Sequence, residues 1–174
     1  MGKSDQGVQS SADRYRTIPR ALVFVFNGSD VLLLKGAPTK RIWAGLYNGV
    51  GGHVEHDEDV YTAALRETRE ETGLHLDRLQ LCGVVNIDVG PGRKGERTGI
   101  MMFVFRAHSP QRALHPSEEG TLEWAPVASL HKNEMVPDLP VLLDRIVHMD
   151  DRSPPFFGRY WYDEQDRLQI AFAR

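Results

Sequence analysis

The chain reads as an α+β domain in which a mixed sheet is covered on both faces. Apolar runs of strand length alternate with turn residues, and two helical stretches are set among them. A length of 174 residues with 41% hydrophobic content suffices for one good core, and nothing in the composition suggests two. The expected organisation is a single domain over residues 20–174, preceded by a polar arm over 1–19. That arm is rich in Gly, Ser, Gln and Asp, so it is expected to be disordered or loosely docked.

The elements follow in order. Ala21–Phe26 and Val31–Leu34 are apolar runs joined by Asn27-Gly28-Ser29, which predicts two strands and a tight turn, buried on both faces. Val60–Thr72 contains neither Gly nor Pro. Asp57 and Asp59 offer capping oxygens before it and Gly73 supplies a stop, so a helix is expected there. Leu79–Asp88 and Gly99–Ala107 read as a hairpin with a glycine-rich tip. Thr121–Ala125 reads as a short strand, Asp138–Met149 as a second helix, and Phe157–Tyr162 with Arg167–Phe172 as a closing hairpin.

On the first helix Glu67, Glu70 and Glu71 are neighbours at i, i+3 and i+4. Like charges on one face destabilise a helix and raise one another's pKa, so the arrangement makes physical sense where a cation collects between them. Oxygen-only ligands on a rigid element suit Mg²⁺, or Mn²⁺, better than zinc. The bland alternative is a solvated acidic helix face.

The context decides against that alternative. From Gly52 through Glu58, Arg66, Glu67, Glu70, Glu71 and Gly73 to Leu74 the chain matches G-x5-E-x7-R-E-U-x-E-E-x-G-U, with Thr68 where an aliphatic residue is usual. It thereby resembles the Nudix hydrolases (MutT type). The resemblance implies the Nudix fold, an α/β/α sandwich with a mixed central sheet. It also implies metal ligation by Glu67, Glu70 and Glu71 together with the carbonyl of Gly51. Gly51 and Gly52 permit a tight turn and close approach. Arg66 and Glu58 are expected to orient the helix and its carboxylates through an ion pair.

Outside the motif, Trp43 to Gly52, with Asn48-Gly49-Val50-Gly51-Gly52 at its end, is similar to the W-N-G-x-G-G approach of the 8-oxo-dGTP diphosphatases in that family. This makes Asn48 a base-contact candidate, with a turn role as its alternative. By the same likeness Glu119 is a further metal-binding glutamate, with Glu118 as a substitute. Asp138 in Met135-Val136-Pro137-Asp138-Leu139 is either a substrate contact or the cap of the second helix. Val136 and Leu139 depart from the subgroup by removing an aromatic and a carboxylate, which puts oxidised-purine recognition in doubt. Arg93, Lys94 and Arg97 at the hairpin tip read as solvated charge, with polyphosphate or a second subunit as the other option.

The expected activity is therefore metal-dependent hydrolysis of the diphosphate bond of a nucleoside triphosphate, an oxidised purine nucleotide among the candidates, to monophosphate and pyrophosphate. The substrate-binding set is Asn48, Gly52 and Asp138. Two alternatives stay open: a hydrolase of a nucleoside diphosphate linked to another moiety, as in ADP-ribose or a nucleotide sugar, and a nucleotide-sensing module without turnover. Such modules commonly lose motif glutamates, which this chain retains.

A net charge of −3 without a long Lys/Arg run argues against duplex nucleic acid as a partner. No apolar run reaches membrane-spanning length and residues 1–19 lack a secretory pattern. The single cysteine, Cys82, is expected as a packed small hydrophobe in a reducing compartment, which favours the cytoplasm. A homodimer is left open.

Overall fold

The computed structural model describes residues 14–92 and 97–173. Its elements are β1 (Arg16–Asn27), β2 (Asp30–Gly36), β3 (Tyr47–Asn48), α1 (Val60–Thr72), β4 (Gln80–Pro91), β5 (Arg97–His108), β6 (Gly120–Pro126), α2 (Leu139–Val147), β7 (Phe156–Tyr162) and β8 (Leu168–Phe172). A 3₁₀ turn over Val127–Lys132 follows β6. The strands form one mixed sheet in the order β3-β2-β1-β5-β4-β7-β8, with β6 paired to β2. The β1–β5 and β4–β7 pairs are parallel; the hairpins β1–β2, β4–β5 and β7–β8 are antiparallel.

Alternation along β1 divides the core in two. Leu22, Phe24 and Phe26 point to one face, where they pack with Val85, Met102, Val104 and the α2 residues Leu139, Leu142 and Ile146. Ala21, Val23 and Val25 point to the other, with Leu32, Phe105 and the α1 residue Ala64. A helix thus covers each face, which is the sandwich expected from the sequence.

Two local features position α1. Asp59 caps it, its carboxylate accepting from the amides of Tyr61 at 2.8 Å and Thr62 at 3.0 Å, and Gly73 ends it in the left-handed conformation. Thr68, the departure from the aliphatic pattern, is fully buried, and its hydroxyl donates to the Ala64 carbonyl at 2.8 Å. The substitution is absorbed because the hydroxyl finds its partner on its own helix.

The sheet begins earlier than expected. Arg16–Pro19 lie inside the segment read as a disordered arm, yet they pair in parallel with Thr98–Met101, and the Tyr15 hydroxyl donates to Asn86 Oδ1 at 2.6 Å. The partner is some eighty residues away, so local polarity gave no sign of it. Residues 1–13, Arg93 and Lys94 lie outside the described residues; Arg97 opens β5 and is exposed. Cys82 is buried as expected, and burial pushes its thiol up to about 11. Among the described residues no helix is long and apolar enough to cross a membrane.

Candidate active site

β1 and β2 pair only at Phe26–Asn27 beside their turn, and the edge of β1 that β2 leaves is taken by the segment 50–53. Val23 and Val50 exchange backbone hydrogen bonds at 2.7 and 3.2 Å, and the Ala21 amide donates to the Gly52 carbonyl at 2.9 Å. This brings Gly51 and Gly52 under α1. The Gly51 amide donates to Glu71 Oε2 at 2.8 Å. Gly51 has φ 141°, a left-handed-region value that favours glycine, and a Cβ there would overlap the Ala21 carbonyl. A Cβ on Gly52 would sit 2.5 Å from Glu67 Oε1, so the bare backbone is what lets this carboxylate lie against the strand.

The motif arginine organises the rest. Arg66 meets Glu58 through two nitrogens, at 2.6 and 3.1 Å, and its other terminal nitrogen lies 3.0 Å from both Glu67 Oε1 and Glu70 Oε2. It also donates to the His53 carbonyl at 3.1 Å, tying helix to loop. Glu58 is held below the ordinary carboxylate range, first by this arginine and then by the Glu55 amide. The fork geometry of a guanidinium suits this multiple contact.

Glu67 and Glu71 shift the other way from Glu58. Burial raises the pKa of Glu67, with Glu70 and Glu119 adding to the effect and Arg66 opposing it. Burial pushes Glu71 up to about 8, the Gly51 amide and Lys40 opposing, the charges of Glu119 and Glu67 reinforcing. Glu119, far away in sequence, therefore belongs electrostatically to this cluster; its carboxylate sits 2.6 Å from Lys40 Nζ. Glu70 is the outlying member, its side chain 60% exposed and turned to Arg66. Among the described residues no three Asp, Glu, His or Cys side chains are gathered closely enough to hold a metal ion as they stand. The donor chemistry nonetheless fits a hard dication, because buried carboxylates that resist ionisation are relieved by positive charge.

The glycines form one end of a cavity of about 690 Å³. Its walls come from β1, β5, β4, β7 and the start of α2, and Glu119, Asn48 and Asp138 border it. Asn48 makes a turn contact, its Oδ1 accepting from the Gly49 amide at 2.8 Å. Asp138 precedes α2 without any side-chain capping hydrogen bond, and burial raises its pKa. Of its two readings, the cap is thus absent from the structure.

Sequence reasoning missed much of this cavity. Arg20, Tyr160 and Tyr162 line it, as does His53, whose Nε2 accepts from Arg20 Nη2 at 3.1 Å. Only the alternation of β1, β4 and β5 hinted at a common face, and alternation does not say which strands are neighbours.

Comparison with known proteins agrees with this geometry. The family model described as the NUDIX domain matches residues 16–146. The uncharacterised Nudix hydrolase YvcI of Bacillus subtilis is 33% identical over 121 residues, covering 69% of this chain and 73% of that protein. An oxidized purine nucleoside triphosphate hydrolase from Mus musculus is 27% identical over 151 residues, covering 84% and 88%. In three dimensions a MutT protein from Bacillus halodurans superposes with a TM-score of 0.74 at 22% identity, over 89% of this chain and 97% of that one. Since the family model spans most of the sheet, α1 and α2, the chain belongs to the Nudix hydrolases, enzymes that cleave acid anhydrides in phosphorus-containing, nucleotide-linked substrates.

Proposed function

We propose that this chain cleaves the diphosphate bond of a nucleoside triphosphate to monophosphate and pyrophosphate, with an oxidised purine nucleotide among its candidate substrates. One observation carries the reading: two carboxylates, the buried Glu71 and the partly buried Glu67, lie against a glycine segment that is also the end wall of a nucleotide-sized cavity. The sequence likeness to a hydrolase of oxidised purine nucleoside triphosphates over most of both chains supports this choice of substrate.

Glu67, Glu70, Glu71, Glu119 and the Gly51 carbonyl are the groups that would hold Mg²⁺, or Mn²⁺. The chemistry such an ion supplies when bound is neutralisation of charge at the phosphate oxygens and activation of water. The chain's own residues do the remainder. Arg66 and Glu58 fix α1 against the loop at 53, so the carboxylates keep their place as charge moves. Gly51 and Gly52 present backbone to the reacting phosphates without side-chain obstruction. The glutamate cluster takes the proton released by the attacking water, sharing it as a coupled group. Arg20 and His53 give the cavity a polar wall beside the glycines, suited to the phosphate chain, while Asn48 and Asp138 border it as contacts for the nucleoside.

The test is a release assay for phosphate and pyrophosphate over standard and oxidised nucleoside triphosphates, ADP-ribose, nucleotide sugars and dinucleoside polyphosphates, with and without Mg²⁺. Mg²⁺-dependent pyrophosphate release from a triphosphate is expected. Activity confined to ADP-ribose or nucleotide sugars would replace the proposal, and binding without turnover of any of them would end it.

A further inference from the structure

The cavity floor contains a polar atom that the protein leaves without a partner. Tyr160 is 1% exposed, yet its hydroxyl has no hydrogen-bond partner in the structure. It lies in the row Ile18–Ile100–Ile87–Tyr160–Ile170 that crosses β1, β5, β4, β7 and β8, so every other position at this level is isoleucine. The ring is used for packing, edge-on to Phe172 with centroids 6.3 Å apart. Phenylalanine would serve that purpose, and the added hydroxyl is a cost unless something meets it.

The position says what could meet it. The glycine segment pairs with the edge of β1 that faces away from β5, and Tyr160 stands on β7, four strand spacings away across β1, β5 and β4. At about 4.8 Å per spacing this is roughly 19 Å, the end-to-end scale of an extended nucleoside triphosphate. The intervening floor, Ile87, Ile100 and Met102, is apolar and suits a flat ring. Asp138 lines the same cavity, and its charge is close enough to Tyr160 to hold the phenol above its ordinary range, although burial is the larger cause.

Resting on the nucleotide reading above, we infer that the Tyr160 hydroxyl, in the same cavity wall as Asp138, reads the polar edge of the nucleobase and sets base selectivity. A base that offers this hydroxyl a hydrogen-bonding atom is favoured, and one that presents a bare C–H edge leaves the hydroxyl orphaned. A site built around a hydrogen bond discriminates most strongly against the analogue that lacks it.

The test uses binding rather than turnover, so that it is independent of the catalytic proposal. Titration calorimetry on the full chain would compare wild type with Tyr160→Phe, using purine and pyrimidine nucleoside monophosphates, their oxidised forms, and ribose 5-phosphate as a ligand without a base. In wild type at least one nucleotide is expected to bind more tightly than ribose 5-phosphate. Tyr160→Phe is expected to weaken that nucleotide about tenfold and to leave ribose 5-phosphate unchanged. Asp138→Asn should alter the ranking of the bases. Unchanged affinities in Tyr160→Phe, with the hydroxyl then merely meeting trapped water, would overturn the inference. So would a wild type that binds no nucleotide better than ribose 5-phosphate. Base-dependent binding lost in Tyr160→Phe, combined with no hydrolysis by wild type, would sustain the inference and sink the catalytic reading instead.

Discussion

The backbone amide of Gly51 donates a 2.8 Å hydrogen bond to Glu71, fastening the most deeply buried acid of α1 to the strand edge beneath it. Glutamine keeps an acceptor oxygen for this amide but carries no charge. Glu71→Gln is therefore expected to keep the fold, with a melting temperature within a few degrees of wild type, and to lower metal-dependent turnover by about 10²-fold or more. Circular dichroism melts and initial rates measure the two effects; full turnover in the variant would remove Glu71 from the chemistry.

The same burial makes stability depend on pH. Glu71 has its pKa raised from 4.5 to about 8 on folding, so between those values the folded chain holds a proton that the unfolded chain has released. Its stabilising contribution is complete below pH 4.5 and is lost as pH rises through about 8. Metal-free wild type should lose on the order of a few kcal/mol across this window, and Glu71→Gln should show a flatter profile. Urea titrations at a series of pH values in chelator, followed by Mg²⁺ addition at pH 8, test this; a wild-type curve no steeper than the variant's would contradict it.

Arg66 joins Glu58, Glu67, Glu70 and the loop carbonyl of His53. Arg66→Ala strands Glu58 and Glu67, whose side chains are only 10% and 17% exposed. Because Arg66 itself is partly solvated, the expected loss is about 1–3 kcal/mol, with turnover falling roughly 10–100-fold. Arg66→Lys should recover less than half of either, since an ammonium cannot reproduce the fork. Chemical denaturation and steady-state rates measure both.

Neighbouring glycines should fail differently. A methyl on Gly51 collides with backbone at a left-handed φ, so Gly51→Ala is expected to cost about 2 kcal/mol or more of stability. A methyl on Gly52 meets the movable end of Glu67, so Gly52→Ala should melt near wild type while turnover drops at least about tenfold. Paired melts and rates distinguish them; equal loss of stability in both would refute the distinction.

Glu119 is tied to Lys40 at 2.6 Å, but both side chains are substantially exposed. Glu119→Gln should change stability by less than about 1 kcal/mol while raising the Mg²⁺ concentration needed for half-maximal rate. An unchanged Mg²⁺ titration would exclude it from the cluster.

Much of the candidate site on α1 was legible in the sequence because its signals are local. Asp59 and Gly73 bound α1, and the spacing of Arg66, Glu67, Glu70 and Glu71 survives as geometry, except that Glu70 points outward to Arg66. The hairpins were likewise marked by their turns. Less visible were β3, only two residues long, and the start of β1, where Arg16–Pro19 is held by a distant strand. Tyr160 was hidden for the same reason: its importance comes from the strands at its sides, and pairing between β4 and β7 leaves no mark in either segment. Asp138 looked like a helix cap by its neighbours in sequence, yet its carboxylate makes no capping bond and borders the cavity instead.

The sheet separates two kinds of selection. α1 and its acids pack on one face, the cavity floor lies on the other with α2, and the glycine strand at 50–53 is where they communicate. Replacements in the floor, on β4, β7 or β8, can accumulate without repacking the helix that carries the acids. The partition through the middle of the molecule thus lets one side be altered while the other stays as it is.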